Sequence, residues 1–241
     1  MTTISADITV GEIAAGQPIS TRVFEKYGID FCCGGRQPLA EACQKQGLDP
    51  AVVLDEINRA AHSHEAAPEN DWQAAPLGRL IGHILDTHHT YMKEQLPRLE
   101  AMLGKILDAH SARHGDVLVP VAATFRAMRN ELDGHLMKEE MILFPLIRAL
   151  ESGDGPHHFH CGSVQNPIRV MVMEHDSAGG ALSRLRHLTS GYQPPADACN
   201  TFRAFYFELS AMEADLHRHI HLENNILFPR AVALEAAVSI S

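Results

Sequence analysis

Two stretches of this 241-residue chain repeat a pattern of side chains suited to holding metal. Residues 131 to 145 contain Glu131, His135, Glu139 and Leu143-Phe144-Pro145, and residues 215 to 229 contain Asp215, His219, Glu223 and Leu227-Phe228-Pro229. The shared pattern is acid-x3-His-x3-Glu-x3-Leu-Phe-Pro, at an offset of 84 residues. A second repeat, His-x6-Leu-x-Arg-Leu, begins at His89 and again at His175, an offset of 86. The second half therefore reads as a copy of the first, each half giving one lone histidine and one His-x3-Glu. A spacing of four puts His135 with Glu139, and His219 with Glu223, on one helix face about 6 Å apart along the axis. Two buried glutamates without a cation would carry a large desolvation cost or be forced neutral, and a pair of metal ions removes that cost. Imidazole and carboxylate without thiolate suit iron, manganese or zinc. Six ligands from two equal halves suit two ions, each taking two histidines, with both glutamates able to bridge. Ions so bound keep open positions for water, an oxo group, dioxygen or nitric oxide.

The other reactive element is Asp30-Phe31-Cys32-Cys33-Gly34-Gly35. Five cysteines, an odd number with one adjacent pair, argue for reduced thiols rather than a disulfide framework. If the N–H groups of this turn face the sulfurs, the thiol pKa falls and a thiolate becomes available. Metal binding, reaction with nitrosyl species and redox exchange all stay open for Cys32 and Cys33. Glu131 and Asp215 lie one turn ahead of the repeated histidines, and Glu174 directly precedes His175. These acids are read as acceptors for imidazole N–H groups or as a polar route to the metal, Glu131 foremost. The remaining histidines are not carried as ligands. His83, His88, His217 and His221 are turned away from the ligand face, and His62, His64, His110 and His114 fall in linker or loop. His157, His158, His160 and Cys161 crowd a Gly/Pro loop, read as a polar surface loop with an accessory metal site as the alternative. Met137, Met141, Phe144, Phe205, Phe207 and Met212 are read as core.

The elements that must position these groups are helical throughout, because no run of alternating β-branched residues is long enough for a sheet. Residues 1–61 form a small helical domain. In it the stripe Val23, Phe24, Tyr27 stops at Gly28, one helix runs from Pro38 to about Gly47, and another runs from Asp49, its N-cap, to about Ala61. The polar stretch 62–71 is the linker, and 72–241 divides into four long helices at about 75–110, 117–150, 165–190 and 195–237. Short connections favour an antiparallel bundle. With 20 basic against 30 acidic residues the net charge is −10, which excludes nucleic acid as a main ligand. No stretch approaches the ~20 apolar residues of a membrane span, and the first residues lack a signal pattern, so a cytoplasmic protein is expected.

The cysteine turn followed by the duplicated His-x3-Glu pattern, ending in His219-Ile-His-Leu-Glu223-Asn-Asn-Ile-Leu-Phe-Pro229, resembles the iron–sulfur cluster repair di-iron proteins (the ScdA/YtfE/NorA type) over about residues 5 to 232. The resemblance implies an all-α fold, a hemerythrin-like four-helix bundle preceded by a small N-terminal domain. It implies two iron ions in a non-haem, oxo-bridged centre on His89, His135, His175 and His219, with Glu139 and Glu223 bridging. It further implies channel roles for Glu131 and Glu174 and reactive thiols at Cys32 and Cys33. The implied activity is repair of clusters damaged by nitrosative or oxidative stress, through iron donation or nitric oxide handling. Nitric oxide or dioxygen would be the small ligand and damaged iron–sulfur proteins the clients, with a homodimer left open. The alternatives are a hemerythrin-like gas-binding or buffering protein and a nitric oxide reductase. The loop at 157–161 departs from the family pattern.

Overall fold

The computed structural model describes residues 4–62, 71–153 and 162–238, so most of the expected linker and the whole 157–161 loop lie outside the described residues. The helices, in chain order, are α1 (Val10–Gly16), α2 (Ser20–Tyr27), α3 (Leu39–Lys45), α4 (Pro50–His62), α5 (Leu77–His83), α6 (Thr90–Lys138), α7 (Phe144–Ser152), α8 (Gln165–Leu188), α9 (Asn200–Leu222) and α10 (Phe228–Val238). Wider π turns at Ile84–His89, Glu139–Leu143 and Glu223–Leu227 join α5 to α6, α6 to α7 and α9 to α10. No strand occurs among the described residues; one antiparallel bridge pairs Thr9 with Pro38.

Two differences from the sequence reading have local causes, and one expected break lies where it was placed. The small domain has an additional helix, α1, nucleated by a capping box in which the Thr9 hydroxyl accepts from the Glu12 N–H and the Glu12 carboxylate accepts from the Thr9 N–H. The break expected around Gly115 falls at His114, with φ −126° and ψ 19°, where α6 consists of two helices meeting at a kink and the chain turns back, so that Arg126 reaches Glu100 at 2.9 Å. The last long helix starts at Asn200 instead of 195, because Ser190, Gly191 and Tyr192 all take positive φ and Pro194-Pro195 follow.

Contacts divide the chain into two compact units. The described part of the first comprises 4–62, 71–82, 147–153 and 217–238. Its small domain is built on Val10, Ile13, Phe24, Ile29, Phe31, Leu39, Val53 and Ile57. Asp49 caps α4 by accepting from the Ala51 N–H at 2.9 Å. The Glu151 carboxylate accepts from the first N–H groups of α5, Leu77 at 2.6 Å and Gly78 at 2.7 Å, where the helix dipole favours an anion. Arg230 in α10 donates to the carbonyls of Trp72 and Ala75, both at 2.7 Å.

In the same unit the cysteine turn is fastened to the chain that carries His219 and Glu223. Asn225 donates its amide to the Phe31 carbonyl at 3.0 Å, and the Phe31 ring meets the imidazoles of His221 and His217 edge-on at 5.6 and 6.3 Å. Gly11 donates to the Gly35 carbonyl at 2.7 Å. A Cβ on Gly35 would lie 2.9 Å from the Phe31 carbonyl oxygen and 2.9 Å from the Asn225 amide oxygen, so only glycine admits this approach.

The described part of the second unit comprises 83–146 and 162–216. Here the part of α6 after His114 runs antiparallel to α8, since Glu131 reaches Ser177 while His135 reaches Glu174. Leu96, Leu99, Leu103, Phe125, Leu182, Leu185 and Phe205 are fully buried, and Phe125 meets Phe205 edge-on at 6.4 Å. The Met/Phe stripe is split: Phe144, Phe205 and Met212 are core, whereas Met137, Met141 and Phe207 are exposed at 61%, 73% and 73%.

The packing predicts opposite outcomes for two glycine substitutions measured by denaturant unfolding. Gly35→Ala should cost about 1–3 kcal/mol, because backbone must shift to admit the methyl group. Gly104→Ala, in α6 with open space around its Cβ, should gain about 0.5–1 kcal/mol.

Candidate metal centre

Each π turn sits at ligand candidates. Pro145 and Pro229 have no N–H for the carbonyls four residues back, Met141 and Asn225, and the helix widens immediately before them, with Phe144 and Phe228 donating to the carbonyls of Glu139 and Glu223 five residues earlier. Leu-Phe-Pro therefore marks a wide turn inside a continuing rod and not a helix end. At the third turn Thr90 donates both its N–H and its hydroxyl to the Leu85 carbonyl, the hydroxyl at 3.1 Å, which carries His89 to the end of the widened segment.

His89, His135, His175 and His219 are 0–3% exposed, and Glu139 and Glu223 are 0% exposed. In the second unit Glu139 lies between two imidazoles, 3.4 Å from His89 Nε2 and 3.3 Å from His135 Nε2, and His135 Nε2 comes within 3.0 Å of His175 Nε2. In the first unit His219 Nε2 is 3.1 Å from Glu223. Within the second unit the ligand atoms of His135, Glu139 and His175 lie within 4.8 Å of one another, as do those of His89 and Glu139, and within the first unit so do those of His219 and Glu223. Two buried carboxylates that turn toward imidazole Nε2 atoms are an unfavourable arrangement on their own, and cations at these positions satisfy it. The set holds nitrogen and oxygen donors and no sulfur, which fits iron.

The acids around this set are distributed differently from the sequence reading. Glu174 accepts from His135 Nδ1 at 2.9 Å and is paired with Lys138. Burial pushes the Glu174 carboxyl up, but Lys138 and His135 outweigh it and hold the pKa below the ordinary value. Glu131 is exposed and accepts from the Ser177 hydroxyl at 2.9 Å, and Asp215 accepts from His88 Nδ1 at 3.0 Å rather than from a repeated histidine. His88 itself is buried. Sequence reasoning missed Glu140, which accepts from His89 Nδ1 at 2.8 Å and pairs with Lys93 at 2.6 Å. On a regular helix a residue next to a ligand points about 100° away from it, so nothing in the spacing recommended Glu140. His217 and His221, set aside as turned from the ligand face, are the side chains that meet Phe31, and burial pushes the His221 imidazole down to about 4.

The cysteine turn is folded around Asp30. Its carboxylate accepts from the N–H groups of Cys32 and Cys33, each at 3.0 Å, and of Gly34 at 2.9 Å. The N–H groups thus face Asp30 and not the sulfurs, so the condition for a lowered thiol pKa is not met at Cys32. The Cys32 Sγ donates to Asp30 at 3.3 Å and lies 3.8 Å from Cys33 Sγ. The neighbouring Cys33 sulfur, then burial, then Asp30 push the Cys32 thiol well above its ordinary value. Cys32 is buried and Cys33 half-buried, and no disulfide joins them.

Residues 80–231 match the hemerythrin HHE cation-binding domain, and residues 6–61 match a domain of unknown function, DUF542, found at the N-terminus of ScdA. The chain is 41% identical to the iron–sulfur cluster repair protein YtfE of Cronobacter sakazakii, covering 95% of this chain and 98% of that one. It is 41% identical to the YtfE of Musicola paradisiaca (95% and 97% covered) and 40% identical to that of an Escherichia coli strain (95% and 98% covered). The chain belongs to the YtfE family of iron–sulfur cluster repair proteins. Its fold is accordingly all-α, a hemerythrin-like helical bundle preceded by a small helical domain, and its buried His/Glu cluster fits the di-iron centre of that family. No helix among the described residues is long and apolar enough to cross a membrane.

The burial of Glu139 makes its neutral analogue informative. Without metal, Glu139→Gln should be as stable as the parent or more so in thermal unfolding, because a buried charge is removed. With ferrous iron added, the parent should gain stability and the variant should gain markedly less, because a carboxylate of the buried cluster is gone.

Proposed function

We propose that this chain repairs iron–sulfur clusters damaged by nitrosative or oxidative stress, with its buried histidines and glutamates and its cysteine turn acting together. The observation that carries this reading is that both elements ride on one stretch of chain. Asn225, which holds the Phe31 carbonyl, follows Glu223 by two residues, and Phe31 precedes Cys32. Damaged iron–sulfur proteins are the clients, in keeping with the repair activity named for the relatives.

His89, His135, His175 and His219 would hold two irons with Glu139 and Glu223 bridging, and when bound the pair supplies sites for a small ligand such as nitric oxide or dioxygen and an exchangeable ferrous ion. The protein's own contribution is position and exclusion of water. Glu174 and Glu140 accept the Nδ1 protons of His135 and His89, which leaves both Nε2 atoms directed at the ligand cluster. Glu174 is partly exposed and stands beside Lys138, so it supplies a polar path from solvent to His135. Glu131, on the surface one turn before His135, lies on the same path.

Cys32 and Cys33 take unequal roles. Asp30 keeps the Cys32 thiol protonated and anchored, whereas the half-buried Cys33 is the thiol that meets solvent and incoming iron or nitrosyl species. The domain 1–61 thus serves as the thiol module and 72–241 as the iron module, in a cytoplasmic protein.

Replacing both Cys32 and Cys33 by Ser should leave iron loading and nitric oxide binding intact while abolishing reactivation of a nitric-oxide-damaged [4Fe–4S] client. Full client reactivation by the double variant would contradict the proposal and leave a gas-binding protein as the better reading. Sustained nitrous oxide production over many turnovers would instead indicate a reductase.

A further inference from the structure

The duplication that produced the six ligand candidates did not copy the groups behind them. Glu140 directly follows one repeated glutamate, and the residue 84 positions on, after the other, is Asn224. Glu174 directly precedes one lone histidine, and the residue 86 positions earlier, before the other, is His88. One copy of each position therefore holds a carboxylate, and its duplicate holds an amide or an imidazole.

Both carboxylates make the same three-part arrangement. The chain Lys93, Glu140, His89 runs 2.6 Å from Nζ to carboxylate and 2.8 Å from carboxylate to Nδ1. Lys138, Glu174 and His135 repeat it, with 2.9 Å between carboxylate and Nδ1. In each the lysine is about half or one-third exposed, the carboxylate is 25–31% exposed and the imidazole is buried. Lys138 sits on the Glu174 oxygen away from His135, and Lys93 reaches both oxygens of Glu140; each carboxylate holds the proton on Nδ1 of its histidine and leaves the Nε2 lone pair facing Glu139. An exposed Lys–Glu pair alone contributes at most ~1 kcal/mol, so stability is a weak reason for this arrangement. A carboxylate behind an imidazole raises its basicity and fixes its ring, an effect worth roughly 10–100-fold in metal affinity. His89 Nε2 faces one oxygen of Glu139 and His135 Nε2 the other, so each ion would receive one carboxylate-backed histidine.

We infer that Glu140, held by Lys93, is a positioning residue for the metal pair, and that Glu140 and Glu174 give each ion one imidazole of raised basicity. This rests on the reading of the six side chains as iron ligands. Glu140 touches no metal itself; it acts through His89.

The test compares the parent with Glu140→Ala, Glu140→Gln, Lys93→Met and, as an exposed control on the same helix, Glu94→Gln. Iron content after anaerobic loading, release to a ferrous chelator, and nitrogen NMR of the metal-free imidazoles are measured. Glu140→Ala should still load but release one iron roughly 10–100-fold faster than the parent. Glu140→Gln and Lys93→Met should fall between, and Glu94→Gln should match the parent. In the metal-free parent the His89 proton should sit on Nδ1, and in Glu140→Ala the two tautomers should mix. Release at the parental rate in Glu140→Ala, or a parental His89 with its proton on Nε2, overturns the inference. A parent that takes up no iron overturns the ligand reading itself, and is told apart because the tautomer measurement needs no metal.

Discussion

Everything in this molecule is arranged around one electrostatic debt, two glutamates with no solvent exposure whose nearest charged or chargeable partners include imidazoles at 3.1–3.4 Å. An imidazole whose proton is held on Nδ1 turns a lone pair toward the buried carboxylate, and a cation between the two satisfies both. The surrounding helices can be understood as the cost of keeping that geometry fixed. Three π turns are inserted where the ligands sit, each giving up one regular helical hydrogen bond to rotate a side chain into place. The repeated Phe-Pro pairs stabilise two of those turns, since a proline that cannot complete the ladder costs least where the ladder is already widened.

The same logic extends outward. Glu140 and Glu174 anchor the far nitrogens of two imidazoles, and Lys93 and Lys138 keep those carboxylates ionised despite partial burial. On either side of Glu223, His221 and Asn225 face the small domain and hold Phe31 beside the cysteines. A single stretch of about ten residues therefore carries two ligand candidates, His219 and Glu223, and the side chains that hold the small domain, Asn225 and His221.

How much of this was legible in the sequence follows from what each feature depends on. The six ligand candidates could be found because helical periodicity converts a spacing of four into a shared face, and because duplication separates a meaningful His-x3-Glu from a chance one. The all-α character and the positions of the long helices followed from the same periodicity, and the break expected around Gly115 is found as a tight kink at His114. The capping box of α1 was present as Thr9-x-x-Glu12 and went unread. Glu140 was hidden because it neighbours a ligand in sequence, where regular helical geometry would turn it away. Met137 and Met141 misled in the opposite direction, since residue type implies burial while their position on α6 exposes them. The cysteine turn was recognisable, but its electrostatics depend on where three backbone N–H groups point, and Asp30 claims them.

X-ray absorption at the iron edge of the anaerobically loaded protein, combined with iron quantitation per chain, bears most directly on the central claim. Two irons per chain in purely nitrogen and oxygen surroundings, with an iron–iron scattering path, is the predicted result. One iron or none, or a shell containing sulfur, would contradict it.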